Sequence, residues 1–144
     1  MKPDFDYSLV PYNFVHCLHA QCPQATACLR HQVSLRIPSE CEYIHIVNPG
    51  RITPVGENCP HFMPDQLRPF ALGITHLLDS IPHSDAIVIK RQMVNHFKTH
   101  MYYRFYRKER FINPAGQEYI RQLFLDRGIT DAPVYDEYVE QYEW

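Results

Sequence analysis

The spacing of apolar residues changes near Asp65. Upstream, apolar positions follow no sustained helical period. Ala25 to Val33, "ATACLRHQV", predicts one short helix. Glu42 to Val47, "EYIHIV", alternates and predicts a strand with Ile44 and Ile46 on one face; "NPG" then turns the chain. Downstream, Leu67, Phe70, Ala71, Ile74, Leu77 and Leu78 recur at helical spacing and predict a helix ending near "DSIPHS". Ile87, Val88, Met93, Val94 and Phe97 predict a second helix over residues 84–97, with Ser84 or Asp85 placed to accept a hydrogen bond from a free first-turn N–H. Met101 to Lys108 predicts a short third helix. In "INPAGQEYIRQLFLDRGI", Pro114 suits a first helical position, Gly128 suits a C-terminal cap, and Ile120, Leu123, Phe124 and Ile129 supply the core side. The tail "DAPVYDEYVEQYEW" predicts a last short helix, with Val134, Tyr138 and Trp144 available to dock.

This pattern divides the chain into a loop-rich part, residues 1–64, and a helical part, residues 65–144, which could also form one compact unit. The expected fold class is mainly α with a small β element: a loop-rich cysteine module followed by a helix-turn-helix-like helical bundle. The length of 144 residues suits about one ordinary domain, and 45% hydrophobic with 21% charged residues describes a globular chain. No stretch reaches the roughly 18–20 apolar residues that a membrane helix needs. The N-terminus lacks a cationic start followed by an apolar run, so no signal peptide is read and a cytoplasmic setting is expected. There thiols stay reduced, and five cysteines is in any case an odd number.

The cysteines carry the first chemical signal. Cys17, Cys22 and Cys28 follow a C-x4-C-x5-C spacing, with His16, His19 and His31 among them and Cys41 and Cys59 further on. Zinc and iron–sulfur sites need about four soft, deprotonated ligands converging from loops. The expected ligands are Cys17, Cys22, Cys28 and Cys59, holding an iron–sulfur cluster or zinc. Cys59 is preferred to Cys41 because Cys22 and Cys59 both precede proline, in "QCPQ" and "NCPH", which withholds an N–H and stiffens the turn beside a ligand. Cys41, or one of His16, His19, His31 and His61, is the alternative fourth ligand. The competing reading is that these thiols are buried structural residues. Hydrolase, phosphate-loop, zinc-protease and dinucleotide motifs are missing from the sequence, so an enzyme is not the first reading.

The second signal is a basic stretch, "KRQMVNHFKTHMYYRFYRKER", with seven Lys or Arg against Glu109 alone. The last fourteen residues carry five acids and no base, so a formal net charge of −2 conceals a dipolar second half. Met101 and Phe105 form an i, i+4 pair able to face a core, leaving Arg104, Arg107 and Lys108 on another face. Cationic side chains interleaved with aromatics suit phosphate contact and base stacking, so Arg104, Arg107 and Lys108, flanked by Tyr103 and Tyr106, are the candidate nucleic-acid contacts. "YYRFYRKERFINPAGQEYIRQLF", within residues 84–129, resembles the Cro/repressor class of helix-turn-helix domains, which implies a recognition helix in the major groove. Lys98 stands where that class usually has glycine.

On "CLHAQCPQATACLR", "VNPG…CPHF", "YYRFYRKER" and "YDEYVEQYEW", nearly the whole chain also resembles a family of uncharacterised bacterial proteins, known chiefly as a domain of unknown function. That resemblance implies an architecture and no activity. The function expected is a metal- or iron–sulfur-binding cytoplasmic protein with a nucleic-acid-binding regulatory or accessory role. The alternatives are a protein-interaction module with structural cysteines, or an iron–sulfur redox protein. Nucleic acid and a protein are the candidate partners, and no membrane is expected.

Overall fold

In the computed structural model, which describes residues 5–52 and 59–144, the chain divides into two compact units. One comprises Met1–Gln66 with Trp144, the other Leu67–Glu143.

The first unit has little regular structure. Strand β1 (Val15–His16) pairs in parallel with β2 (His45–Ile46), and helix α1 is six residues long (Leu29–Ser34). Leu29 and Val33, one turn apart on α1, are buried together with Phe14, Cys28 and Val47. Trp144 meets Phe14 edge-on, with ring centroids 5.2 Å apart. Such short elements leave many backbone groups without ladder partners, and cross-links between loops supply them. Leu29 N–H donates to Met63 O, Asp65 N–H to Ala27 O, and the Ser34 hydroxyl to Cys17 O at 3.0 Å.

The second unit begins with strand β3 (Leu67–Leu72) and continues through helices α2 (His83–Phe97) and α3 (Thr99–Tyr106), strand β4 (Phe111–Ile112), helix α4 (Pro114–Asp126) and strand β5 (Glu137–Tyr142). The sheet order is β4-β3-β5, antiparallel throughout, with Ala71 opposite Ile112 and Leu67 opposite Tyr142. Ala71, Ile89, Met93, Ile112 and Ile120 are essentially inaccessible and form the centre of its core.

This is an α/β fold, and it corrects the expected mainly α class. The described residues hold four α-helices and two sheets, and the second unit is a three-stranded sheet with three helices, not a helical bundle. Two segments account for the difference. Residues 67–72 form the central strand, although their apolar spacing fits a helix. Pro69 is tolerated because β4 pairs only with Ala71 and Leu72; the open side at Pro69 needs no N–H, and its carbonyl accepts from Gln117 Nε2 at 2.8 Å. Gly73 then ends the strand at φ 82°, where a Cβ would collide with the Asp136 carboxylate. The tail forms β5, not a helix, and Val134 and Tyr138 stay exposed rather than docking.

The other helices lie close to their expected positions. Asn113 Oδ1 caps α4 through Gly116 N–H at 2.8 Å, and Pro114 occupies the first turn. Gly128 at φ 76° closes the end of α4, with Gly128 N–H donating to Leu125 O and Ile129 N–H to Phe124 O. Helix α2 has no side-chain cap; Asp85 instead pairs with Arg127 at 2.6 Å.

Candidate functional site

Each cysteine of the first cluster is held by a local backbone turn or bridge. Cys17 follows β1, and its N–H donates to Arg30 O at 3.1 Å, tying it to α1. Cys22 N–H donates to His19 O, and Cys22 O accepts from Ala25 N–H, so the "QCPQ" segment doubles back. Cys28 precedes α1 and forms an isolated bridge with Pro64, while its carbonyl accepts from His31 and Gln32 N–H. Cys59 opens a turn closed by Phe62 N–H at 3.1 Å. These four local arrangements bring Cys17, Cys22, Cys28 and Cys59 to the wall of one small cavity of about 20 Å³, together with Gln24, Ala25, His31, His61 and Phe62.

All five cysteines are free thiols; Cys28 is buried and the others are half-buried. His31 adds a nitrogen donor to the cavity wall. Its Nδ1 lies 3.1 Å from Cys17 O, which can only accept, so Nδ1 donates there and the neutral ring would carry its lone pair on Nε2. Metal-bound histidines are commonly oriented by such a carbonyl contact. As the side chains stand, no group of three or more His, Cys, Asp or Glu among the described residues is arranged to hold a metal ion. The four cysteines therefore line a shared space without their side chains converging on one point.

Cys41 lies apart from this set. It lines a different cavity of about 280 Å³ with Tyr7, His16 and Tyr43, and its thiol donates to Tyr43 O at 3.3 Å. His16 is also committed elsewhere. Its Nδ1 donates to His45 O at 3.1 Å and its Nε2 accepts from the Tyr7 hydroxyl at 2.9 Å. Burial pushes the His16 imidazole below its ordinary pKa and outweighs the carbonyl contacts that favour its charged form. Burial also raises the Tyr7 phenol, and the neighbouring Cys41 adds to the rise.

The basic segment sits in the second unit. Helix α3 ends at Tyr106, so Arg107 is its C-terminal cap and Lys108, at φ 59°, lies beyond it; Lys108 does not extend the helix face expected for it. Arg107 Nε pairs with Glu109 at 2.6 Å, and Arg104 approaches the same carboxylate at 3.7 Å. The Arg107 contact holds the Glu109 carboxyl below its ordinary range. Lys108 Nζ reaches Glu137 at 2.8 Å and Asp136 at 3.7 Å. Tyr103 and Tyr106 are exposed. Between α2 and α3 stands Lys98 alone, at φ 72° and ψ 152°, in place of the three- or four-residue turn of a helix-turn-helix.

Sequence spacing did not single out Asp136. Its Oδ2 accepts from the Thr75 hydroxyl at 2.7 Å and its backbone N–H donates to Gly73 O, so it ties the end of β3 to the segment before β5. It is one acid in an acidic tail, and only the glycine at position 73 hints that something approaches closely there.

The family model described as Family of unknown function (DUF6078) matches residues 1–144, and the chain belongs to that family. No curated protein and no solved structure matches the chain.

Proposed function

We propose that the chain is a metalloprotein in which Cys17, Cys22, Cys28 and Cys59 hold an iron–sulfur cluster or zinc as thiolates. One observation carries this reading: four of the five cysteines, drawn from the end of β1, two separate turns and the start of α1, line the same small cavity, while Cys41 does not. Four soft ligands suit either group, and His31 Nε2 can replace one of them. Such a centre would support the first unit, whose described strands are two residues long and whose described α-helix has six.

The test is metal and acid-labile sulfide analysis, with a visible spectrum, on protein purified without oxygen. The expected result is either one zinc per chain or iron with matching sulfide and absorbance near 400 nm, diminished by Cys28→Ser and retained in Cys41→Ser. Metal-free protein of unchanged stability would return the thiols to a purely structural role.

Exposed Tyr103 and Tyr106 beside Arg104 and Arg107 support nucleic-acid contact as a second reading. Its support is thinner, because Arg104, Arg107 and Lys108 already face carboxylates. Arg104→Ala combined with Arg107→Ala should weaken nucleic-acid binding and flatten its salt dependence; an unchanged salt slope removes this reading.

A further inference from the structure

A larger cleft in the first unit, about 570 Å³, is lined by Val15, Arg30, Val47, Asn48, Arg51, Pro60 and His61. We propose that it binds a small phosphorylated organic molecule, at a site separate from the cysteine cavity.

The polar lining offers hydrogen-bond donors. The Arg30 guanidinium is fixed in place: Nε donates to His61 O at 3.1 Å, Nη1 donates to Val15 O at 2.7 Å, and the group lies 5.4 Å from the Phe14 ring centroid. These contacts use two of the five N–H donors of an arginine and leave three. A guanidinium already ordered by the fold loses little further freedom on binding, which favours affinity. Asn48 Oδ1 accepts from Gly50 N–H at 3.0 Å, so its remaining side-chain group is the donating NH2. Arg51 forms no ion pair among the described residues, and no carboxylate among them lines the cleft. A cavity with two cations, a donating amide and no acid among its described lining residues favours an anion.

Phosphate fits better than carboxylate. A phosphate monoester brings a charge near −2 and three terminal oxygens to two guanidiniums, whereas a carboxylate brings one charge and two oxygens. Val15, Val47 and Pro60 supply apolar wall for an organic substituent, and the volume lies within the range of small-molecule pockets. His61 lines both this cleft and the cysteine cavity, so the bound molecule would be a neighbour of the thiol set without being one of its ligands.

Calorimetric titration of the full-length protein at fixed ionic strength tests the assignment, with phenyl phosphate, inorganic phosphate and benzoate as probes. Phenyl phosphate should bind saturably, one per chain, and more tightly than either of the others. Arg51→Gln should weaken it at least tenfold without changing melting temperature or metal content, while Arg91→Gln, in the second unit, should leave it unaltered. No saturable binding of phenyl phosphate, tighter binding of benzoate, or equal losses in the two variants would each overturn the proposal. Metal analysis of the same samples reads the cysteine centre separately, so either result stands or falls without the other.

Discussion

Replacing Lys98 by glycine should stabilise the protein. Lys98 is the only residue between α2 and α3, and its φ of 72° with ψ of 152° lies in a region populated almost entirely by glycine. Holding a side-chain-bearing residue there costs about 1–3 kcal/mol. Glycine removes that cost and adds about 0.5–1 kcal/mol of chain entropy lost on folding. It also deletes the exposed contact from Lys98 Nζ to Asn95 O at 3.3 Å, a weak surface hydrogen bond. The balance favours Lys98→Gly by about 0.5–2 kcal/mol, which raises the melting temperature by a few degrees, or about 10 °C at the upper end for a unit of this size. Thermal and urea denaturation followed by circular dichroism measure it. Lys98→Ala is the control: it loses the same contact but keeps the Cβ, so it should match the parent or fall below it. If Lys98→Gly is no more stable than the parent, or if the alanine variant gains as much, the strain argument is wrong.

Three further outcomes follow from named contacts. Cys59→Ser should lose bound metal and lower the melting temperature, while Cys41→Ser should keep the metal; equal metal loss from both would place the ligand set elsewhere, as read by elemental analysis. Gly73→Ala should destabilise by more than about 1 kcal/mol, because alanine is strained at φ 82° and its Cβ meets the Asp136 carboxylate; a urea midpoint equal to the parent's would refute this. Burial pushes the Asp136 carboxyl up, but the Thr75 hydrogen bonds and Lys108 outweigh it and leave the group below its ordinary value. A depressed carboxyl contributes stability above the unfolded pKa near 3.9 and loses it as pH falls through the folded value, so Asp136→Asn should flatten the loss of stability below about pH 4; an unchanged acid limb in pH-dependent denaturation would count against it.

The parts legible in the sequence are those whose chemistry is local. Pro114 and Gly128 mark the ends of α4 because a missing N–H and a left-handed backbone act on their own turn. The periodic stripe of α2 places that helix within a residue of its end points. The missing glycine at position 98 was also visible, and its consequence is a strained single-residue junction rather than a looser turn. Strands β3 and β5 were not legible. Leu67, Phe70, Ala71 and Ile74 suit a helix by spacing, and in a run this short spacing alone cannot exclude a strand. The decision came from pairing across 65 or more residues of chain, Leu67 with Tyr142 through Leu72 with Glu137, which no local window contains. Pro69, Gly73 and the β-branched and aromatic residues of the tail were the available counter-signals.

The grouping of Cys17, Cys22, Cys28 and Cys59 at one cavity was legible for a different reason. The Cys-Pro pairs at 22 and 59 pointed to stiff turns, and stiff turns keep a side chain in place when regular structure does not. The first unit takes this further. Leu29 bonds to Met63, Asp65 to Ala27, Arg30 to His61 and Cys17 to Arg30, so the segments carrying Cys17, Cys28 and Cys59 are stitched together by the polypeptide itself. A metal bound there would add its ligand bonds to these hydrogen bonds and so contribute to the stability of the unit. The same stitching fixes the Arg30 guanidinium at the edge of the larger cleft. One set of loop-to-loop hydrogen bonds thus prepares two neighbouring sites, a thiol cavity and a cationic cleft, with His61 between them.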